Sequence, residues 1–144
     1  MGIAFNPTNI LHGNNAEVWF GGNKLAAAES LQAKLTIDNE DIEVLGNPGT
    51  YSRYNGYAGT GTLKRYKLDS SFLLVMAKYV KTGVKPDLTI IASVKQPSTG
   101  KRERISLKDV NFSEATLIDL EKKKLLEEEI PFTFGSFKVL ESIK

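Results

Sequence analysis

The chain has 144 residues, 41% of them hydrophobic and 25% charged, with a formal net charge of +2. That is the size and balance of one soluble domain with a real core, and the charge is too small to call for nucleic acid or an anionic membrane as a binding partner. The lack of cysteine excludes disulfides and thiolate chemistry, no run approaches the ~20 apolar residues of a membrane span, and no basic-then-apolar leader opens the chain, which predicts a protein made in the cytosol and kept there, or released by a route other than secretion.

Met1 to Asn15 is rich in Asn, Gly and Pro and reads as an extended arm. Its apolar residues Ile3, Phe5, Ile10 and Leu11 leave two outcomes open, packing on a neighbouring subunit or folding back on its own domain. Glu17 to Phe20 reads as a short strand, and Gly21-Gly22-Asn23 as a tight turn that starts a hairpin. Leu25 to Asp38 supports two readings. Leu25, Ala27, Leu31, Ala33, Leu35 and Ile37 alternate as in a strand, broken by Glu29, whereas Leu25, Ala28, Leu31 and Leu35 also fit a helical stripe. The preceding turn and the β-branched Thr36 and Ile37 favour strand. A strand of about fourteen residues reaches roughly 46 Å at ~3.3 Å per residue, more than a small sandwich can pair internally.

Residues 39–56 show no period and carry two turn signals, Gly46-Asn47-Pro48-Gly49 and Asn55-Gly56, so they read as a long loop. Ile42, Val44, Leu45, Tyr51 and Tyr54 make it too apolar for a solvated linker and predict that it docks on something. Tyr57 to Leu68 reads as a strand whose Gly59 and Gly61 bare one face, to close approach by another chain or to sharp bending. Asp69 to Gly83 is the clearest helix. Asp69 can accept a bond from a first-turn N–H, Phe72, Val75, Met76, Tyr79 and Val80 form an apolar stripe, Lys78 and Lys81 suit the C-terminal end, and Gly83 can stop the helix ahead of Pro86. That stripe requires burial against a sheet.

Leu88 to Lys95 alternates, Gln96 to Gly100 is a turn, and Arg102 to Phe112 returns with a one-residue phase slip that predicts a bulge near Lys108-Asp109. The two strands form a hairpin with a basic tip. Ser113 to Lys124 is a polar connection with one helical turn at Leu117 to Leu120. Leu125 to Val139 reads as one long strand, with Leu126, Glu128, Ile130, Phe132 and Phe134 on one face and Glu127, Glu129, Pro131 and Thr133 on the other. Pro131 lacks an N–H, so the strand has one partner there or a bulge.

Residues that carry chemistry are scarce. His12 is the only histidine and lies in the arm, so neither imidazole catalysis nor a metal site is credible. Glu127 and Glu129 share a strand face, where a solvated acidic stripe is the ordinary reading. Gly56 to Thr62 lacks the lysine of a phosphate loop, and the helix begins too late to meet a phosphate. Lys101, Arg102, Arg104 and Lys108 lie among Glu103 and Asp109 without interleaved aromatics, which fits a charged hairpin tip better than a nucleic-acid surface. Trp19 reads as a core or interface anchor. No cofactor is expected, and an enzyme is the least favoured class.

Three segments occur in a set order: Leu31-Gln32-Ala33-Lys34-Leu35-Thr36-Ile37-Asp38, Gly59-Thr60-Gly61-Thr62-Leu63-Lys64 and Glu127-Glu128-Glu129-Ile130-Pro131-Phe132-Thr133-Phe134. In this order, and over nearly the whole length, the chain resembles the tail tube proteins of contractile phage tails, in particular those of PBSX-like defective prophages. The resemblance implies a single tail tube domain over 1–144, mainly β: a β-sandwich or partly open barrel with one flanking helix. Six copies would form a ring, rings would stack into a hollow tube in the virion tail assembled in the bacterial cytoplasm, and long strands from each copy would join into a barrel around the lumen. The same resemblance implies tail sheath, baseplate and tape-measure proteins as partners, with non-specific DNA in the lumen of a true phage or membrane puncture by the tube of a tail-like bacteriocin, and no membrane contact for the isolated subunit. The arm (1–15) and the loop (39–56) would touch neighbouring copies. The lumen face would be the polar side of the strands: Gln32, Lys34, Thr36, Thr60, Thr62, Glu127, Glu129 and Thr133. A neutral or acidic lining lets DNA slide, and Lys34 departs from that logic. Two other classes remain: a ring protein of a related, type VI-like injection system, and a monomeric β-sandwich that binds a ligand in an apolar pocket.

Overall fold

The computed structural model describes residues 6–144, so Ile3 and Phe5 of the arm lie outside the described residues. Nine strands and one α-helix follow in order: β1 (Ala16–Phe20), β2 (Asn23–Lys24), β3 (Ala28–Glu43), β4 (Thr50–Tyr66), α1 (Ser71–Thr82), β5 (Ile90–Lys95), β6 (Arg102–Lys108), β7 (Asn111–Phe112), β8 (Glu127–Phe134) and β9 (Ser136–Glu141). All strand pairs are antiparallel. They form a five-stranded sheet, β2-β1-β5-β6-β9, and a four-stranded sheet, β3-β4-β8-β7, neither closed into a barrel. The fold is thus mainly β and sandwich-like, as the sequence predicts.

The core lies between the two inner faces. Leu63, Ile130, Phe132 and Phe134 of the four-stranded sheet face Ile90 and Leu107 of the other, and Val110 and Phe112 join them. Helix α1 contributes mainly Phe72, whose ring centroid lies 4.8 Å from Phe20 and 5.4 Å from Phe112. Gly83 ends the helix in the left-handed conformation (φ +69°), its N–H donating to Tyr79 O at 2.8 Å. Met76 packs against the core, but Val80 is 77% exposed, so the expected apolar stripe is buried only along its first two turns.

Several sequence expectations need correction. Residues 39–56 are not a loop. β3 continues to Glu43, a turn held by Asn47 N–H donating to Val44 O (3.2 Å) reverses the chain, and β4 begins at Thr50. The hairpin at Gly21-Gly22 is real, with both glycines left-handed (φ +60° and +89°), but it pairs only Asn23 and Lys24 with β1. Glu29 breaks the β3 alternation because it sits in a bulge between Ala28 and Ser30.

The phase slip near Lys108-Asp109 is not a bulge within one strand. Asp109 adopts φ +55° and carries the chain from β6 in one sheet to β7 in the other. Leu125 to Val139 is likewise not one strand, because Gly135 is a second crossing point, from β8 to β9. A Cβ at Gly135 would stand 3.2 Å from Asp109 Cβ, so the two crossings touch. Leu117 to Leu120 forms no helical turn. Pro131 accepts Ser113 N–H on its carbonyl at 3.1 Å, on the side where β7 ends, so the one reciprocal bond its missing donor cannot give falls just beyond the paired residues of β7.

Gly59 and Gly61 lie on the inner face. The rings of Phe134 and Phe132 from the same chain cover them, and a Cβ at either position would overlap those rings. The close approach that the glycines allow is therefore internal. Trp19 is not in the core: it is half-buried on the opposite side of β1 from Val18 and Phe20, with the Arg104 guanidinium 5.2 Å from its ring centroid.

Candidate functional site

Strand periodicity puts every second residue of the four-stranded sheet on the face turned away from the core. The cross-strand register then aligns them in rows. Lys34 stands beside Thr60, and Thr60 beside Thr133; Gln32 stands beside Thr62; Thr36 stands beside Ala58. Glu129 lies opposite Lys64, and Glu127 opposite Tyr66. All eight residues expected on the lumen side, Gln32, Lys34, Thr36, Thr60, Thr62, Glu127, Glu129 and Thr133, therefore share this one face, each exposed or half-exposed. Most of its side chains are hydroxyls, amides and charged groups.

Beyond Gly59, where β8 ends alongside β4, Thr36–Glu43 and Thr50–Ala58 continue as a two-stranded ribbon. It projects roughly 25 Å at ~3.3 Å per residue. Tyr57 braces its root: the hydroxyl donates to Gly135 O at 3.0 Å and the ring packs edge-on to Phe137. The five residues expected to dock all lie on this ribbon. Ile42 pairs with Tyr51, Tyr54 with Asn39, and Val44 and Leu45 occupy the tip, where Leu45 is fully exposed (101%). Among the described residues this apolar tip on a bare ribbon has no partner.

The sheet also ends in open edges. β3 is the outermost strand along all sixteen of its residues, and on the opposite side β7 covers only two residues of β8. The arm, by contrast, is tied down: Asn9 O accepts from Gln96 Nε2 at 2.8 Å and Asn9 Oδ1 from Ser98 Oγ at 2.7 Å. Its described part folds back on its own domain, leaving Ile10 and Leu11 exposed.

Buried charge anchors the base of this site. Arg65, 2% exposed, donates through Nε to Glu128 Oε2 at 2.8 Å and through Nη2 to Asp69 Oδ1 at 3.0 Å, and its guanidinium lies 4.6 Å from the Phe72 ring centroid. It joins β4, β8 and the start of α1. Asp69 also accepts from the Ser71 hydroxyl (2.7 Å) and the Ser71 N–H (3.0 Å). Those two bonds, with Arg65 after them, lower its pKa to about 2. The alternation puts Glu128 on the apolar face, but nothing in it indicates that Arg65 would meet it there.

Among the described residues no group of His, Asp and Glu is placed to hold a metal, and no helix is long and apolar enough to cross a membrane. His12 accepts Asn14 N–H on Nδ1 at 3.0 Å and caps a short 3₁₀ turn. One apolar cleft of about 550 Å³ opens between the sheets, lined by Val18, Leu25, Leu31, Ala92 and Ile105.

A family model described as "Phage tail tube protein" matches residues 3–141. The Bacillus subtilis (strain 168) protein XkdM of the phage-like element PBSX is 34% identical over 143 residues, covering 98% of this chain and 97% of that protein. Among solved structures, the tube-terminating cap of the anti-feeding prophage matches with a TM-score of 0.72 at 11% identity, over 99% of this chain and 97% of the other. A chain of the sheath–tube complex of an extracellular contractile injection system, in the extended state, matches with a TM-score of 0.69 at 10% identity, over 92% and 93%. At such identities these two likenesses establish the fold alone.

Proposed function

Because the chain belongs to the phage tail tube protein family, a structural family and not one of enzymes, we propose that it is the repeating subunit of the inner tube of a contractile tail, assembled as stacked hexameric rings around a channel. The observation that carries this reading is the unpaired β-edge. β3 and β4 run sixteen and seventeen residues, yet among the described residues β3 has no outer neighbour and the ribbon half of β4 has only β3. Long bare edges invite pairing with another chain, and closure into a ring removes them. On this reading the β3 edge of one copy pairs along the β8 side of the next, and six four-stranded sheets make one barrel.

The exposed row of Gln32, Lys34, Thr36, Thr60, Thr62, Glu127, Glu129 and Thr133 then lines the lumen, through which DNA passes without sequence preference. The ribbon residues Ile42, Val44, Leu45, Tyr51 and Tyr54 meet adjacent subunits or rings. The opposite sheet and α1 face outward, toward the tail sheath, while baseplate and tape-measure proteins meet the tube at its ends and in its channel. The subunit's place is the tail tube of the assembled particle.

Electron microscopy of the purified protein at high concentration tests the assembly: tubes with a central channel are expected. Glu127→Lys with Glu129→Lys tests the face. Intact tubes with impaired DNA ejection support a lumen lining, whereas loss of tubes means these side chains lie in an interface. The apolar cleft favours a second reading, a monomeric binding module, for which a particle that stays near 15.9 kDa at every concentration is the deciding result. A ring protein of a type VI-like injection system would share the architecture; the identity to the PBSX protein favours the phage tail over it.

A further inference from the structure

Three cations lie on the outer face of the four-stranded sheet: one is ion-paired, and a second has a carboxylate as its cross-strand neighbour without an ion pair within 4 Å. Lys64 Nζ is 3.8 Å from Glu127 Oε2 and faces Glu129 in register, and Arg53 stands opposite Glu40. Lys34 is different. Its row continues into Thr60, Thr133 and Asn111, and its neighbours along the strand on the same face are Gln32 and Thr36. The adjacent rows add only Thr62, Pro131 and Ala58. Among the described residues Lys34 is exposed and forms no ion pair. The nearest carboxylates on this face are Asp38 and Glu129, two rows away on either side. Two rows correspond to roughly 13 Å of strand, beyond the ~10 Å over which salt screens exposed charge.

We propose that Lys34 is a phosphate-contacting residue: in the closed ring, copies of its ammonium form a cationic girdle at one level of the channel, between two acidic levels, and hold the phosphodiester backbone of DNA there. This rests on the lumen reading above. A free ammonium on a flexible stem donates to any phosphate oxygen and reads no base, as a channel for arbitrary DNA requires. The acidic levels repel the same backbone, so each ring offers one point of grip within a surface that otherwise releases it. An edge-strand lysine also discourages stray sheet pairing by free subunits, but that role ends once rings close.

The test uses tubes assembled from the full chain, intact by electron microscopy, loaded with a short duplex DNA and treated with nuclease to remove whatever is outside. Wild-type tubes are expected to protect DNA at about 50 mM salt and to release it by about 200 mM, whereas Lys34→Gln tubes protect on the order of tenfold less. Lys78→Gln, on α1 and away from this face, should match wild type. Equal protection by Lys34→Gln tubes overturns the girdle, as does retention of polyglutamate as strong as that of DNA, which would make the ligand an acidic polypeptide. Acetylation of wild-type protein by a small soluble reagent separates this failure from failure of the lumen reading. Modification of Lys34 in both free subunits and intact tubes, with protection in intact tubes from a polymer-linked reagent too large for the channel, supports its place in the channel, whereas modification of tubes by the large reagent puts it on the outside and overturns the girdle. Modification in free subunits alone means that the face is buried between copies, and the girdle falls together with the lining.

Discussion

At the scale of single residues, Arg65 ties the base of the polar sheet to the helix. Its guanidinium is buried against Phe72 and bonded to both Glu128 and Asp69. Replacing Glu128 by leucine leaves that charge short of its buried partner and is expected to cost about 3–5 kcal/mol in urea unfolding, much of it restored when Arg65→Met is added. Asp69 makes the helix start sensitive to acid. Its carboxyl is held near pKa 2, first by the Ser71 hydroxyl, then by the Ser71 N–H and Arg65, below the ordinary 3.8. A depressed carboxyl stabilises the fold above its unfolded value, and that contribution disappears as pH falls from about 4 through 2. Circular dichroism should show α1 loosening in this window, and Asp69→Asn should already show the looser state at neutral pH. Gly61 has no room for a side chain under Phe132, so Gly61→Ala should cost about 1–3 kcal/mol through overpacking. The sequence makes part of this legible. Alternation gives Glu128 its apolar face, but its partner lies 63 residues away, and periodicity carries no information about contacts at that distance.

At the scale of elements, the ribbon is the least legible part of the chain. Alternation is visible only where one face is buried, and Thr36–Glu43 with Thr50–Ala58 has water on both. Its Thr, Ile and Tyr content is the signal for strand, and the Gly46-Asn47-Pro48-Gly49 turn lies at its tip. The break at Gly135 is hidden for the opposite reason: residues before and after it keep strand character, and only the sheet to which they belong changes. The helix and the β5–β6 hairpin are legible because their caps and turn residues act locally. The ribbon's apolar tip yields a prediction at this scale. Leu45→Asp should leave the stability of the free subunit within about 0.5 kcal/mol, since the side chain touches nothing there. Sedimentation should show the same variant failing to form long assemblies at concentrations where wild type does.

For the whole molecule, the two sheets serve different ends. The five-stranded sheet closes the core from one side, and the four-stranded sheet turns a polar face and a bare edge to its surroundings. Hydrogen exchange reads that edge directly. Amides of β3 that point away from β4 should exchange rapidly in free subunits and slow by orders of magnitude in tubes, while those bonded to β4 should be slow in both. Protection unchanged by assembly would mean that the ring closes elsewhere. Alternation gives each of the three strands its polar side, the family resemblance joins those sides into one face, and the register aligns the eight residues because the alternation of β3, the second half of β4 and β8 is uninterrupted between the bulges. What the sequence did not yield is how the chain changes sheets at β6–β7 and β8–β9, since that depends on Asp109 and Gly135 meeting in space.

That meeting has a mechanical consequence. In the tube proposed above, a wall under axial load fails where its layers can slip past each other, and two of the four places where the chain passes from one sheet to the other meet at a single rivet. Thrust on either wall is passed to its neighbour at that joint, and the long β3–β4 ladder resists it in shear, with its rungs strained together instead of parting one after another.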